Sequence, residues 1–205
     1  KLLTKSIYAI LDDKNFNFKY LDAYVEKMIR ANIKIFQIRI KNSFSSEKIK
    51  MIKRVKTLCD FSNCILILND NINLSKDLDL DGVHIGSTDS DIVSARKILG
   101  EEKIIGVSCY NDINLGIFSE NSGATYVSFG SMYKTTTKLN AVNLDIKTIY
   151  KASKMINIPI CIIGGINADN VHDVINLNCD LIAISKGLSS INDLNKISKI
   201  YYEKN

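Results

Sequence analysis

Residues 126–138 read Tyr-Val-Ser-Phe-Gly-Ser-Met-Tyr-Lys-Thr-Thr-Thr-Lys and combine two kinds of local sequence. The first part alternates and is rich in aromatic and β-branched residues, a pattern typical of a buried strand. Beyond Gly130 the apolar pattern gives way to three threonines flanked by two lysines. Threonine hydroxyls, backbone N–H groups and lysine charges can together bind phosphate oxygens. A solvated surface loop explains the same residues equally well, so the choice depends on the rest of the chain.

The same arrangement, an apolar run that ends in polar or glycine residues, recurs along the chain. It predicts strands at 6–12, 33–40, 64–68, 81–86, 103–109, 124–130, 159–163 and 180–185. Apolar residues at helical spacing predict helices at 21–29, 45–61, 91–99, 112–122, 144–156, 168–177 and 190–202, with a short, weak one after residue 70. Strands that are apolar at successive positions are covered on both faces, as in a parallel sheet inside a helical layer.

Eight alternating units of this kind predict an α/β fold, a single-domain (β/α)8 TIM barrel that spans residues 1–205. An open doubly wound sheet is the alternative. That fold would need a glycine-rich nucleotide loop after the first strand, and the sequence Asp12-Asp13-Lys14-Asn15 has no glycine.

Composition favours a cytoplasmic protein. The chain is 46% hydrophobic, 24% charged and carries a net charge of +5, and no apolar run has the length of a membrane span. The five cysteines are an odd number without a C-x-x-C pair, which favours buried thiols in a reducing compartment. The densest lysine cluster lies on the predicted helix 45–61, as its solvated face, so nucleic-acid binding is not expected. A homo-oligomer is compatible with the sequence.

Active sites of such barrels form at the C-terminal ends of the strands. Polar residues or glycines follow nearly every predicted strand, whereas the N-terminal ends are mostly plain. The candidates are Gln37, Arg39, Lys41, Asn69, Asp70, Asp89, Ser108, Thr135, Thr137, Lys138, Gly164, Gly165, Ile184 and Ser185.

Two ion-binding sectors follow from these candidates. Asp70 and Asp89 come after adjacent strands, and their carboxylates suit a Mg²⁺ ion shared with substrate phosphates. Arg39, Lys41 and Lys138 are matching cations for a pyrophosphate group. The structural alternatives are a turn role for Asp70 and a helix-cap role for Asp89.

The second sector combines Gly164 and Gly165 with the segment 184–187. Loops after strands seven and eight of such barrels often bind phosphate through backbone N–H groups. The alternative is that these glycines only permit tight turns. Neither histidine is expected to be a catalytic base, since His84 lies in a strand and His172 on a helix. Catalysis is therefore expected to be mainly electrostatic.

The ordered set of motifs resembles thiamine-phosphate synthase over most of the chain. The matching segments are Gln37-x-Arg39-x-Lys41-Asn42, Asn69-Asp70, Asp81-Gly-Val-His84-Ile-Gly86-x-x-Asp89, Gly106-x-Ser108, Gly130-x-x-Tyr133-x-Thr135-x-Thr137-Lys138 and Ile163-Gly164-Gly165-Ile166-Asn167.

The resemblance implies that 4-amino-2-methyl-5-hydroxymethylpyrimidine diphosphate is joined to 4-methyl-5-(2-hydroxyethyl)thiazole phosphate, with release of pyrophosphate. The pyrimidine-side C–O bond breaks first in that family, and the thiazole nitrogen then attacks. The implied catalytic residues are Arg39, Ser108 and Lys138. The implied substrate contacts are Gln37 for the pyrimidine, Arg39, Lys41, Asn69 and Lys138 for the diphosphate, Ser108 for the reacting groups, and Thr135, Thr137, Gly165, Ile184 and Ser185 for the thiazole phosphate. Asp70 and Asp89 are the implied Mg²⁺ ligands.

The sequence departs from the family pattern at a few positions. The family usually has glutamine where Ser87 stands, and proline at the positions of Ser131 and Lys134. Loss of these prolines is expected to make the loop 131–142 more flexible before substrate binds. Lys186-Gly187 is also unusual after Ser185 and is expected to strengthen or displace the second phosphate site.

Two other functions are the alternatives. A related thiazole tautomerase has the same barrel and depends on a histidine after the fifth strand, where Tyr110 stands here. A regulator that binds thiazole or thiamine phosphate without turnover is the other. The combination of Asp70, Asp89 and Lys138 favours the synthase over the tautomerase. The pair of Asp70 and Asp89 argues against the regulator, since a pure binder has no need to stabilise a leaving pyrophosphate.

Overall fold

The computed structural model describes residue 3 and residues 5–86, 92–133 and 144–203. Its strands are β1 (Ser6–Asp12), β2 (Ile35–Arg39), β3 (Ile65–Asn69), β4 (Gly82–Ile85), β5 (Ile104–Tyr110), β6 (Tyr126–Gly130), β7 (Ile160–Ile163) and β8 (Leu181–Ile184). All neighbours pair in parallel and in chain order, and β1 also pairs with β8, so the sheet closes into a barrel. The predicted (β/α)8 barrel is confirmed.

A helix follows each strand. The helices are α1 (Leu21–Arg30), α2 (Ser46–Phe61), α3 (Ile72–Asp77), α4 (Ile92–Leu99), α5 (Ile113–Asn121), α6 (Ile146–Met155), α7 (Val171–Val174) and α8 (Ile191–Tyr202). Ser45 caps α2, since its hydroxyl accepts a hydrogen bond from the Lys48 N–H at 3.3 Å. Among the described residues, no helix combines the length and apolar content needed to cross a bilayer.

The predicted helix 168–177 is wrong in its length, because only Val171–Val174 is α-helical. Side chains of asparagine compete for the backbone groups before it. The Oδ1 of Asn170 accepts from the Asn167 N–H at 2.8 Å, and the Oδ1 of Asn167 accepts from the Asp169 N–H at 2.8 Å. These local turns replace the first helical turn that the apolar spacing had predicted.

Alternate strand residues divide the buried side chains into two clusters. The larger cluster lies between the strands and the helices and includes Leu21, Val25 and Ile52. The smaller cluster consists of strand residues that point inside the barrel, among them Tyr8 and Tyr126, together with Leu3, which precedes β1. The two tyrosines place hydroxyl groups inside an otherwise apolar cluster, and those groups require hydrogen-bond partners.

Candidate active site

Lys41 and Asp70 meet at the C-terminal ends of β2 and β3. The Lys41 Nζ lies 3.0 Å from the Asp70 Oδ2, and the two side chains are 52% and 34% exposed. Asp70 has a φ of 65°, and its N–H donates to the His84 carbonyl of β4 at 2.9 Å. This left-handed turn, which aspartate tolerates better than most residues, holds the carboxylate at the barrel mouth.

Arg39 and Asn69 are the last residues of the same two strands. Asn69 is buried, and Arg39 is half-buried. Burial lowers the pKa of His84 to about 4, and the Arg39 charge adds to this effect. The Arg39 charge is therefore felt inside the barrel. Four predicted residues of the diphosphate and metal sector therefore come from two neighbouring strand ends: Arg39, Lys41, Asn69 and Asp70.

A row of hydrogen bonds crosses the inside of the barrel and is called here the interior chain. Its members, in order, are Gln37, Tyr8, Tyr126, His84 and Ser108. Their successive polar atoms lie 2.6, 2.9, 2.7 and 2.9 Å apart. Gln37 and Ser108, which come from different strands and were both predicted as substrate contacts, are thus connected through three residues that were not predicted as site residues.

Gly106 makes room for the interior chain. A β-carbon at this position would overlap the ring and hydroxyl of Tyr126. With glycine there, the Tyr126 ring stacks near His84, with centroids 5.5 Å apart and planes 30° apart. The glycine of the Gly106-x-Ser108 motif therefore serves packing, while Ser108 carries the polar group.

The sector at the ends of β7 and β8 contains Gly164, Gly165, Ile184 and Ser185. Gly164 and Gly165 have φ values of 115° and 68°, which confirms that this turn requires glycine. The Gly165 carbonyl accepts from the Asn170 Nδ2 at 3.0 Å. Ile184 is buried among the apolar residues under the helices, so it could offer only backbone atoms to a ligand.

Asp12 is a residue of this sector that was not predicted. Its carboxylate accepts from the Ser185 hydroxyl, from the backbone N–H groups of Lys14 and Asn15 at 3.0 and 2.9 Å, and from the Asn15 amide. The hydrogen of the Ser185 hydroxyl is therefore already donated to Asp12. A carboxylate at the end of the first strand is the same signal that identified Asp70, and it could have been used.

The two histidines differ in their surroundings. His84 is buried in β4, as predicted, with both ring nitrogens in the interior chain. His172 lies on α7, half exposed, and its Nε2 is 3.1 Å from the Asp173 Oδ1. The pKa of His84 keeps its ring neutral near pH 7.

Several predicted residues lie outside the described ranges. They are Asp89, Thr135, Thr137 and Lys138, together with the departures Ser87 and Lys134. Ser131 is described, and its hydroxyl donates to the Tyr133 carbonyl at 2.6 Å, which ties the first residues of the loop together.

In the described part of the chain, no group of three or more His, Cys, Asp or Glu side chains is arranged to bind a metal ion. Asp70 nevertheless fits a Mg²⁺ site by donor type, because its carboxylate is a hard oxygen ligand at the open mouth.

Known proteins of one family resemble this chain in sequence and in fold. The thiamine monophosphate synthase family matches residues 7–188. Thiamine-phosphate synthase from Nitrosomonas eutropha is 35% identical over 97% of this chain and 93% of its own length. The corresponding protein from Clostridium beijerinckii is 34% identical, over 95% and 92%. The structure of thiamine phosphate pyrophosphorylase from Pyrococcus furiosus superimposes with a TM-score of 0.85 at 26% identity, covering 98% of this chain and 96% of that one. The chain belongs to the thiamine monophosphate synthase family.

Proposed function

We propose that this protein is a thiamine-phosphate synthase that joins 4-amino-2-methyl-5-hydroxymethylpyrimidine diphosphate to 4-methyl-5-(2-hydroxyethyl)thiazole phosphate and releases pyrophosphate. The observation that carries the proposal is the pairing of Lys41 with Asp70 at the mouth. It puts a cation for phosphate oxygens beside a carboxylate of the kind that binds Mg²⁺.

The leaving group is the diphosphate. The C–O bond of the pyrimidine methylene breaks, and its electron pair stays on the diphosphate oxygen. Arg39 and Lys41 hold that diphosphate and stabilise the negative charge as it develops, with Asn69 as a neutral donor. When bound at Asp70, Mg²⁺ supplies further positive charge to the leaving group.

The second event is attack by the thiazole nitrogen. Its lone pair forms the new C–N bond with the pyrimidine methylene carbon, and no proton has to be removed from it. The chain's own residues fit this requirement, because the ring of His84 is held in two hydrogen bonds and its pKa is near 4. Gln37 and Ser108 orient the pyrimidine, and they do so from opposite ends of the interior chain.

The thiazole phosphate is assigned to the β7 and β8 ends. Because the Ser185 hydroxyl donates to Asp12, binding there would rely on the backbone N–H groups of Gly165 and Ser185. Thr135 and Thr137 complete the thiazole-phosphate site in this proposal, Lys138 adds a cation for the diphosphate, and Asp89 adds a carboxylate for Mg²⁺; all four lie outside the described residues.

We also propose a single cytoplasmic domain, with a homo-oligomer as a possible state. All five cysteines are buried thiols, and burial raises the pKa of Cys109 to about 11 and that of Cys179 to about 12. Such protonated thiols suit a reducing compartment.

Product analysis by mass spectrometry tests the reaction. Thiamine phosphate should form only when both substrates are present. If a thiazole carboxylate phosphate were isomerised instead, without any pyrimidine, the tautomerase alternative would replace the synthase. Binding of the thiazole phosphate without either reaction would support the alternative that the protein is a regulator.

A further inference from the structure

The two ends of the interior chain differ from its middle in their burial and in their hydrogen-bond partners. Tyr8, Tyr126 and His84 are buried, and each polar atom of their side chains is hydrogen-bonded to another member of the interior chain. Ser108, at one end, is only partly buried. At the other end, the Gln37 Oε1 has no hydrogen-bond partner among the described residues. In the same part of the chain, every fully buried side-chain oxygen has such a partner. The Gln37 Oε1 is therefore not fully buried, and it opens toward the site.

The direction of the hydrogen bonds follows from counting donors, starting at Gln37. The amide nitrogen Nε2 can donate hydrogen bonds but cannot accept them, so it donates to the Tyr8 oxygen at 2.6 Å. The single hydroxyl hydrogen of Tyr8 then has Tyr126 as its remaining partner, at 2.9 Å. Both tyrosines are protonated, because burial raises the pKa of each hydroxyl.

The same count continues through His84. Tyr126 receives the Tyr8 hydrogen and gives its own to the His84 Nδ1 at 2.7 Å. A neutral imidazole with an accepting Nδ1 carries its hydrogen on Nε2. That hydrogen is donated to the Ser108 Oγ at 2.9 Å, and the Ser108 hydrogen is left over for a substrate.

The opposite direction is unfavourable for this amide orientation. If Ser108 donated to His84, and each member donated onward, the Tyr8 oxygen would accept from both Tyr126 and Gln37. The buried Tyr8 hydrogen would then have no acceptor, and an unsatisfied buried donor is costly.

We propose that the interior chain has one direction, set by the Gln37 amide, which makes the Ser108 hydroxyl a donor and the Gln37 Oε1 an acceptor toward the substrate. The proposal rests on the proposed function for the identity of that substrate. An acceptor and a donor held at fixed positions match an aminopyrimidine, whose amino group donates and whose ring nitrogens accept. An oxo-pyrimidine, with an accepting oxygen in place of the amino group, is disfavoured.

Tyr8, Tyr126 and His84 are therefore positioning residues, which act through Gln37 and Ser108. The tautomer of His84 reports the direction without any substrate. In ¹⁵N NMR spectra of the ligand-free protein at pH 8, His84 should be in the Nε2–H form. The His172→Gln variant assigns the signals, since the chain has two histidines. An Nδ1–H form in the unmodified protein would overturn the proposal.

A variant tests the coupling between the two ends. In Gln37→Glu the carboxylate can only accept, so Tyr8 should donate to it and each later bond should reverse. His84 should then change to the Nδ1–H form. A folded Gln37→Glu protein that keeps the Nε2–H form would contradict the coupling.

Kinetics provide a second measurement. Tyr126→Phe removes the hydroxyl that joins Tyr8 to His84, so it should raise the KM for the pyrimidine diphosphate about five- to tenfold and leave the KM for the thiazole phosphate unchanged. Tyr202→Phe is the matched control, because its hydroxyl donates to the Asn32 carbonyl at 2.8 Å, on the helical surface. Equal effects on both KM values would contradict a positioning role. The NMR result needs no turnover, so the Nε2–H form in an inactive protein would uphold the interior chain and contradict only the proposed function.

Discussion

The Lys41 Nζ and the Asp70 Oδ2 lie 3.0 Å apart, although 29 positions separate the two residues in the sequence. They meet because β2 and β3 are neighbours and their C-terminal ends point to the same mouth. In the absence of substrate, each neutralises the other's charge. Substrate diphosphate and Mg²⁺ would divide the pair, since the diphosphate attracts the lysine and the metal attracts the carboxylate.

Asp70→Asn should lower kcat/KM by about 100-fold or more while leaving the fold intact. The substitution keeps the shape of the side chain but removes the charge that would bind the metal. The exposed ion pair contributes little to stability, so the free energy of unfolding should change by less than about 1 kcal/mol. Steady-state kinetics and urea unfolding measure the two effects.

Asp79→Asn is the matched control for that variant. Asp79 also pairs with a lysine, Lys103, at 2.5 Å, but it precedes β4, at the other end of the barrel. Its kcat/KM should match that of the unmodified protein. Near-normal turnover in a folded Asp70→Asn protein would rule out the metal assignment.

The stability of the protein should fall between pH 7 and pH 4 because of His84. Burial first, and the Arg39 charge second, lower its pKa from 6.5 in the unfolded chain to about 4. Between these values the unfolded chain binds a proton that the folded protein does not, so stability is fully present above pH 6.5 and decreases as the pH falls. The loss should approach about 3 kcal/mol.

Urea unfolding at several pH values measures this loss. His172→Gln should keep the same pH dependence, since His172 is exposed. His84→Gln should have a flatter dependence over pH 4.5–6.5, whatever its absolute stability. An unchanged slope in His84→Gln would show that another group is responsible.

Gly106→Ala should destabilise the protein by about 1–3 kcal/mol, because the new methyl group would displace the Tyr126 ring. The same displacement would break the Tyr126–His84 hydrogen bond, so the KM for the pyrimidine diphosphate should also rise. Thermal unfolding and steady-state kinetics measure the two effects. An unaltered melting temperature would contradict the close packing of this glycine against the ring.

Arg96→Lys should destabilise the fold by at least about 2 kcal/mol without a specific effect on substrate binding. The Arg96 guanidinium donates to the carbonyls of Gly100, Lys103 and Gly123, at 2.7 Å each, and so joins loops before β5 and β6. A lysine cannot reproduce this fork.

Arg30→Lys is the control for this prediction. Arg30 pairs with Glu26 on the surface of α1, with 76% of its side chain exposed. Its replacement should change the free energy of unfolding by less than about 0.5 kcal/mol. Equal losses in the two variants would contradict the role assigned to Arg96.

Local sequence was sufficient to predict the elements that depend on local chemistry. The positions of Lys41 and Asp70 at strand ends could be read directly, because strand periodicity acts over a few residues. The helix at 168–177 was overextended, because the asparagine turns compete with the helix and apolar spacing does not register them.

The partners inside the barrel could not be predicted in the same way. Tyr8 and Tyr126 are 118 positions apart, and only closure of the barrel brings their hydroxyls within 2.9 Å. Each tyrosine alone looks like an ordinary aromatic residue in a strand. The contact between Asp12 and Ser185 likewise depends on the pairing of the first strand with the last. The roles of Asp89, Thr135, Thr137 and Lys138 remain predictions.

Pyrophosphate release is the measurement that tests the central claim most directly. It should be followed with both substrates, with each one omitted, and with Mg²⁺ present or chelated. The account predicts release only when both substrates and Mg²⁺ are present, with thiamine phosphate formed in equal amount. Release without the thiazole phosphate, or no release from the folded protein under any of these conditions, would contradict it.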